Sequence, residues 1–261
     1  MTNFSWADPG VSPLIVAHRG ASGSAPENTM AAFKTAVAEG ARALEIDVRL
    51  SADNEIVIIH DSRLNRTTDG HGLVSRHTLA ELKQLSAGKW YAKQFAAERI
   101  PTLRELFEFT GNRIGVNIEI KQRYAGSRRL RGKKAAHAQT DIVARCIAMA
   151  RQYRALESIA ISSFDHRHVR RAAEISPRVA AGVLVHIVRH FRLRPSTLAT
   201  RSSADFLFCS RSGMNKILVN NLHAAGVRVG VYTVNTGRAY DRAVRLGADV
   251  IFSNHPGKFL N

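Results

Sequence analysis

ALEIDVRLSADNEIVIIHD, residues 43–61, holds two apolar-rich runs separated by a short polar link. Side chains alternate faces along a strand, so in Ala43–Arg49 the carboxylates of Glu45 and Asp47 share one face and Leu44, Ile46 and Val48 share the other. The second run, Ile56–Ile59, ends in His60–Asp61. The link around Asp53–Asn54 is too short for a helix, and Asn54 is a residue type that accepts a left-handed turn. Outward from this pair, strand-like runs alternate with helix-like runs over the whole chain. Leu14–Ala17, Val116–Ile120, Ile159–Ser162, Ala181–Val185, Phe206–Cys209, Val229–Val234 and Val250–Phe252 complete the strand candidates. Such alternation predicts a parallel sheet with helical crossovers, and the order of elements points to a (β/α) barrel, with a doubly wound open sheet as its competitor. Nine candidates are one too many for a closed ring, so one is expected to lie outside it, and the short link makes the barrel irregular there. Helices are predicted over Thr29–Ala38, with Asn28 as its cap, and over Thr102–Phe109, introduced by Pro101. Between His60 and Ile100 no βα unit is apparent, as befits a small excursion that walls the mouth of the barrel.

The 261 residues suffice for one large domain with a substantial core, and 45% apolar residues with 7 Pro and 18 Gly are those of an ordinary globular chain. No basic segment leads into an apolar run at the start, and no later run reaches membrane-spanning length, so a soluble intracellular protein is expected. Cys146 and Cys209 lack CxxC spacing and read as packing residues. The unusual total is charge: 38 Lys and Arg against 21 Asp and Glu give +17 and a pI near 10.8. Such a surface attracts polyanions without choosing among them.

Two carboxylates on one apolar-flanked strand face repel each other, and a divalent cation relieves that repulsion; a solvated strand face is the alternative. His18–Arg19–Gly20 ends the first strand as His60–Asp61 ends the third, at the strand ends where barrel active sites are built. Imidazoles titrate near neutrality and suit acid and base roles, and the planar cation of Arg19 suits phosphate oxygens. In Asn117–Ile118–Glu119–Ile120–Lys121 the polar residues share a face, so Glu119 completes an oxygen set with Glu45 and Asp47, and Lys121 offers a second cation. With no dinucleotide glycine loop and no nucleophile elbow, this constellation favours metal-assisted phosphoryl chemistry over redox or acyl transfer.

HRGASGSAPENTMAAF at 18–33, ALEIDVRLSADNEIVIIHDSRLNRTTDGHG at 43–72, TLAELKQLSAG at 78–88, IPTLRELFEF at 100–109, NIEIK at 117–121 and VYTVNTGRAYDRAVRLGADVIFSNHP at 231–256 resemble, in order, the motifs of glycerophosphodiester phosphodiesterases. The resemblance implies one domain over 1–261, an α/β irregular TIM (β/α)8 barrel with a small insertion after the third strand, residues 61–100. It implies that Glu45, Asp47 and Glu119 bind Mg²⁺ or Ca²⁺, that His18 and His60 are acid and base, and that Arg19 and Lys121 contact the phosphate. The products implied are glycerol 3-phosphate and an alcohol. Two departures stand out. Tyr232 stands where the family often has a tryptophan, and an aromatic ring there can still pack against glycerol. Ser253–Asn254–His255–Pro256 replaces a Thr-Asp-x-Pro ending, which removes a negative charge near the barrel end and bears on a supporting hydrogen bond rather than on the metal set.

Arg123, Arg128, Arg129, Arg131, Lys133 and Lys134 form an acid-free stretch after the NIEIK strand, readable as a lid, a patch for an anionic membrane, or a solvated loop. Arg189, His190, Arg192 and Arg194, with Phe191 and Leu193 interleaved, form another. The leading expectation is a cytoplasmic hydrolase of small deacylated glycerophosphodiesters, with peripheral contact to the inner membrane surface through the basic loops. A lysophospholipase D acting on lysophospholipids is the nearest alternative. A non-catalytic basic protein that holds anionic membranes or nucleic acid is a third, and nucleic acid is not the expected partner of the filled site.

Overall fold

The computed structural model describes residues 3–121, 141–185 and 195–260. Its strands are β1 (Leu14–His18), β2 (Ala43–Leu50), β3 (Ile56–Ile58), β4 (Gly115–Ile120), β5 (Ile159–Ser163), β6 (Ala180–Val185), β7 (Phe206–Ser210), β8 (Arg228–Tyr232) and β9 (Val250–Ser253). All but β3 pair in parallel in the order β1-β2-β4-β5-β6-β7-β8-β9, and β1 pairs with β9 as well as with β2, so eight strands close a TIM (β/α)8 barrel. The open doubly wound sheet is therefore excluded. The helices are α1 (Met30–Ala38), α2 (Leu79–Leu82), α3 (Leu103–Thr110), α4 (Ile142–Gln152), α5 (His166–Ile175), α6 (Pro195–Arg201), α7 (Lys216–Ala224) and α8 (Gly237–Leu246). None of them is long and apolar enough to cross a membrane.

The surplus strand is β3, which runs antiparallel to β2. β2 is long enough to serve two neighbours along one edge: Ala43, Leu44 and Glu45 pair with β1, whereas Val48, Arg49 and Leu50 pair with β3. The short turn at Asp53–Asn54, with Asn54 at φ 65°, folds β3 back onto β2. His60 accordingly does not sit at the carboxyl end of a barrel strand, as the sequence pattern predicts. It follows an antiparallel strand that runs back toward the barrel, and Ile59 N–H donates to the Asp47 carbonyl at 2.8 Å. His18 and His60 thus arrive along the same edge of β2 from opposite directions.

Inward- and outward-facing residues separate as strand alternation requires. Ile15, Leu44, Ile46 and Ile118 pack against the helical shell, while Val16, Phe206, Phe208 and Phe252 fill the lumen. Gly182 and Gly230 make room for the Phe208 ring, which a Cβ at either position would meet within about 2.5 Å. Phe4 and Trp6 close the amino-terminal end, where Trp6 Nε1 donates to the Ser158 carbonyl at 2.9 Å. Cys146 and Cys209 are free and buried, and burial pushes both thiols up to about 12, as packing residues require.

Two helix starts differ from the sequence expectation. Thr29, not Asn28, caps α1 by accepting from Ala32 N–H, because Asn28 takes a left-handed backbone at φ 58°. Thr102 caps α3 in a reciprocal box with Glu105, so the helix introduced by Pro101 starts at Leu103, with Thr102 as its cap and not its first residue.

Candidate active site

At the carboxyl end of the barrel a cleft of about 260 Å³ is lined on one side by His18, Arg19, Glu45, His60, Asn117, Glu119 and Lys121, and on the other by Phe164, Leu184, Tyr232 and Phe252. Asp47 is fully buried behind the polar wall. A larger hollow, about 520 Å³, opens at the other end of the barrel around Trp6 and Arg228, away from every titratable group of the cleft.

The β2–β4 register sets Glu45 beside Asn117 and Asp47 beside Glu119, so one carboxylate oxygen from each of Glu45, Asp47 and Glu119 lies within 4.8 Å of the others. Burial raises the Glu45 carboxyl well above the usual range, and the charges of Asp47 and Glu119 raise it further. Glu119 is pushed up to about 7, by burial first and then by Asp47. Burial acts on Asp47 in the same sense but is outweighed by Lys121 and Arg19, which hold it below the usual carboxylate range. Lys121 Nζ is 3.1 Å from Asp47 Oδ1 and 2.5 Å from Glu119 Oε1, and Arg19 Nε is 3.1 Å from Asp47 Oδ2. Glu45 Oε1 and Asn117 Oδ1 are buried with no hydrogen-bond partner. Buried oxygens left this way are costly, and among the described residues Arg19 and Lys121 are the two Arg or Lys side chains in direct ion-pair contact with the three carboxylates. The donor set is all oxygen and short of positive charge, which fits a hard divalent cation held by Glu45, Asp47 and Glu119.

The HRG turn is built by backbone conformation. Arg19 has φ 58°, which aims its N–H at Glu45 Oε2, 2.9 Å away. Gly20 follows at φ 77°, and a Cβ there would lie 2.6 Å from the Ala32 backbone. His18 Nδ1 is 2.7 Å from Asn254 Oδ1 and its Nε2 is 3.9 Å from Glu45 Oε2. Burial, followed by the charge of Arg19, lowers the His18 imidazole to about 4. His60 Nδ1 is 2.6 Å from Asp61 Oδ1; its pKa is lowered, chiefly by burial, against the pull of Asp47 and Asp61. A carboxylate only accepts, so His60 carries a proton on Nδ1. Tyr232 donates its hydroxyl to the Val185 carbonyl at 3.1 Å and stands edge-on to Phe164, so it presents a ring, not an acid, to the cleft.

All eight sequence-predicted residues therefore gather at this end of the barrel. Four further polar residues join them. Asn28 Nδ2 donates to Asp47 Oδ2 at 2.8 Å, and its left-handed backbone makes that reach available. Glu27 and Asp61 both accept from Arg66, and they reach the cleft through Arg19 and His60 respectively. In the sequence Asn28 resembles a helix cap, and Arg66 is one arginine among many; only their place in the quoted motifs marked them. The two basic segments, 123–134 and 189–194, lie outside the described residues.

Residues 18–258 match the model of the glycerophosphoryl diester phosphodiesterase family. A glycerophosphodiester phosphodiesterase of Caldanaerobacter subterraneus is 35% identical over 252 residues, 95% of this chain and 96% of the relative. A phosphodiesterase of Oleispira antarctica, solved in complex with the product sn-glycerol-3-phosphate, superposes with a TM-score of 0.82 at 32% identity, covering 95% of both chains. The structure of a glycerophosphodiester phosphodiesterase from Agrobacterium tumefaciens gives 0.77 at 27% identity, over 94% of this chain and 98% of that one. A match over nearly the whole chain, on a barrel whose open end carries a buried acidic cluster between two histidines, shows that the chain belongs to the glycerophosphoryl diester phosphodiesterase family, a family of hydrolases.

Proposed function

We propose that the cleft hydrolyses small glycerophosphodiesters to glycerol 3-phosphate and an alcohol, with Glu45, Asp47 and Glu119 holding Mg²⁺ or Ca²⁺ and with His18 and His60 transferring protons. The observation that carries this reading is the buried three-carboxylate cluster flanked, within one cleft, by two imidazoles and two cations. The Oleispira antarctica complex with sn-glycerol-3-phosphate supports the glycerol 3-phosphate half of the substrate. A bound divalent cation supplies Lewis-acid polarisation of the phosphoryl oxygens and neutralises charge that develops on them.

The protein's own groups divide the remaining work. Arg19 and Lys121 hold the phosphate oxygens by charge-assisted hydrogen bonds. His18, neutral near pH 7 and braced through Nδ1 by Asn254, takes at Nε2 the proton of the attacking group as the new O–P bond forms, that group being either water or the glycerol 2-hydroxyl, whose cyclic phosphate water then opens to glycerol 3-phosphate. His60, held through Nδ1 by the Asp61 carboxylate, gives the Nε2 proton of its imidazolium form to the leaving alkoxide as the P–O bond to the alcohol breaks; burial works against that form, and Asp47 and Asp61 work for it. The rings of Phe164 and Tyr232 offer the glycerol carbons an apolar wall.

The test is a metal-depleted assay of glycerol 3-phosphate release from glycerophosphocholine and glycerophosphoethanolamine, with Mg²⁺ or Ca²⁺ restored. Release that returns with metal and is lost in Glu45→Ala is the expected result. Each histidine substitution is expected to cost about 10²–10⁴-fold. With a p-nitrophenyl leaving group, which needs no acid, the loss in His60→Ala should shrink while the loss in His18→Ala persists. No release from the diesters alongside turnover of lysophosphatidylcholine would transfer the assignment to a lysophospholipase D.

A further inference from the structure

The proposed phosphate ligand and the proposed acid are joined outside the cleft by one guanidinium. Arg66 Nη1 and Nη2 donate to Glu27 Oε2 and Oε1, both at 2.8 Å, and its Nε donates to Asp61 Oδ2 at 2.7 Å. Glu27 Oε1 also accepts from Arg19 Nη1 at 2.9 Å, and Asp61 Oδ1 lies 2.6 Å from His60 Nδ1. Charge-assisted contacts therefore run without a break from Arg19 through Glu27, Arg66 and Asp61 to His60. Arg66 stands at the midpoint and does not line the cleft.

Isolated exposed ion pairs contribute little, and the Arg66 side chain is 44% exposed. Three features set this one apart. Its contact with Glu27 is a two-pronged fork, the geometry that fixes direction as well as distance. Glu27 is only 14% exposed. The backbone beside Arg66 is anchored, because Leu64 is fully buried and its carbonyl accepts from Thr68 N–H at 3.1 Å. A frame of this kind sets orientation, and orientation is what a near-attack geometry requires.

We infer that Arg66 is a positioning residue for the hydrolysis: by gripping Glu27 and Asp61 together it sets the Arg19 guanidinium and the His60 ring in one frame, so that the phosphate and the departing oxygen are addressed in register. The inference rests on the roles proposed above for Arg19 and His60. A lysine at this position reaches one carboxylate but does not bridge two in a plane, so charge alone does not substitute.

The experiment compares wild type with Arg66→Ala and Arg66→Lys by three readouts: kcat and KM on glycerophosphocholine, the melting temperature, and the ¹⁵N resonances of the histidine rings recorded without substrate. In wild type the His60 ring is expected as the Nδ1–H tautomer. In Arg66→Ala, with Asp61 released, it becomes a mixture of tautomers while the His18 ring is unchanged, and kcat falls about 10- to 100-fold, as a misplacement of about 1 Å costs. Arg66→Lys, which retains the charge and guards against a folding failure, recovers the melting temperature but not kcat. Wild-type kcat in folded Arg66→Ala, a fall in kcat with the His60 ring spectrum unchanged, or full recovery by lysine would each overturn the inference. If wild type itself released no glycerol 3-phosphate while the His60 spectrum still responded to Arg66→Ala, the failure would lie in the proposed activity.

Discussion

His18 leans on the amide oxygen of Asn254, whereas His60 leans on the carboxylate of Asp61. Burial lowers both imidazoles first, and the charge of Arg19 lowers His18 further, to about 4; the hydrogen bond to Asn254 acts against that lowering in His18, as Asp47 and Asp61 do in His60. The sequence marked Asn254 as a departure but did not reveal which group it serves, since His18 and Asn254 are 236 residues apart and meet only when β1 and β9 close the ring. Asn28 misled in the opposite way: a short polar side chain suits a helix cap, and the same shortness suits a left-handed backbone that reaches Asp47. A prediction follows for Asn254→Asp. The added negative charge favours the imidazolium and raises the His18 pKa from about 4 toward neutrality. A base works only when neutral, so the acid limb of kcat/KM moves to higher pH, and a pH–rate profile with the limb in its wild-type place would contradict the base role of His18.

At the scale of elements, the alternation in ALEIDVRL made β2 legible, and the brief polar link made it legible that the next strand breaks the βα rhythm. The direction of β3 was not, because periodicity says which face a side chain takes and nothing about which way a strand runs against its neighbour. The structure places His60 through that antiparallel return, and the start of α3 helps to hold it. Thr102 makes a bridge with Val57, and the Pro101 carbonyl accepts from Ile58 N–H at 2.8 Å. Thr102 also forms the capping box with Glu105, which in turn meets Lys83 Nζ at 2.5 Å. The T-x-x-E pattern of that box stands in the sequence, where Pro101 marks the helix start and leaves Thr102 to read as its first residue. Thr102→Ala removes the cap and is expected to cost about 0.5–2 kcal/mol in urea unfolding. Because β3 depends on the same corner, hydrogen exchange at Ile58 and Ile59 should quicken more than at β7, and uniform exchange would show that the cap and the hairpin are independent.

Across the whole molecule the barrel has one working end and one closed end. Parallel strands bring Glu45, Asp47, Glu119 and Tyr232 to the first, while the lumen beneath is filled by Phe206, Phe208 and Phe252 and stopped at the bottom by Phe4 and Trp6. The stopper was invisible in the sequence: MTNFSWADPG has neither strand nor helix periodicity, and its two aromatics gain meaning only against a closed ring. Trp6 is 1% exposed, packs edge-on to Phe206 at 5.8 Å, and donates its indole N–H to the carbonyl of Ser158, the residue just before β5. Deleting such a ring leaves a cavity and removes one of the two hydrogen bonds to the Ser158 carbonyl, which keeps that from Val116 N–H at 2.8 Å, so Trp6→Ala should cost about 3–5 kcal/mol of stability. The rigid aromatic filling lies between that cavity and the acidic cluster, so the effect belongs to the fold and not to the chemistry. Urea unfolding should therefore register the loss in full, while kcat/KM, measured at a temperature where the variant is folded, stays within about twofold, since remote packing changes that leave the site geometry intact leave the barrier intact. A fall of 10-fold or more in the folded variant would mean that the stopper, through Phe206 and Phe208, also sets the positions of the groups at the open end.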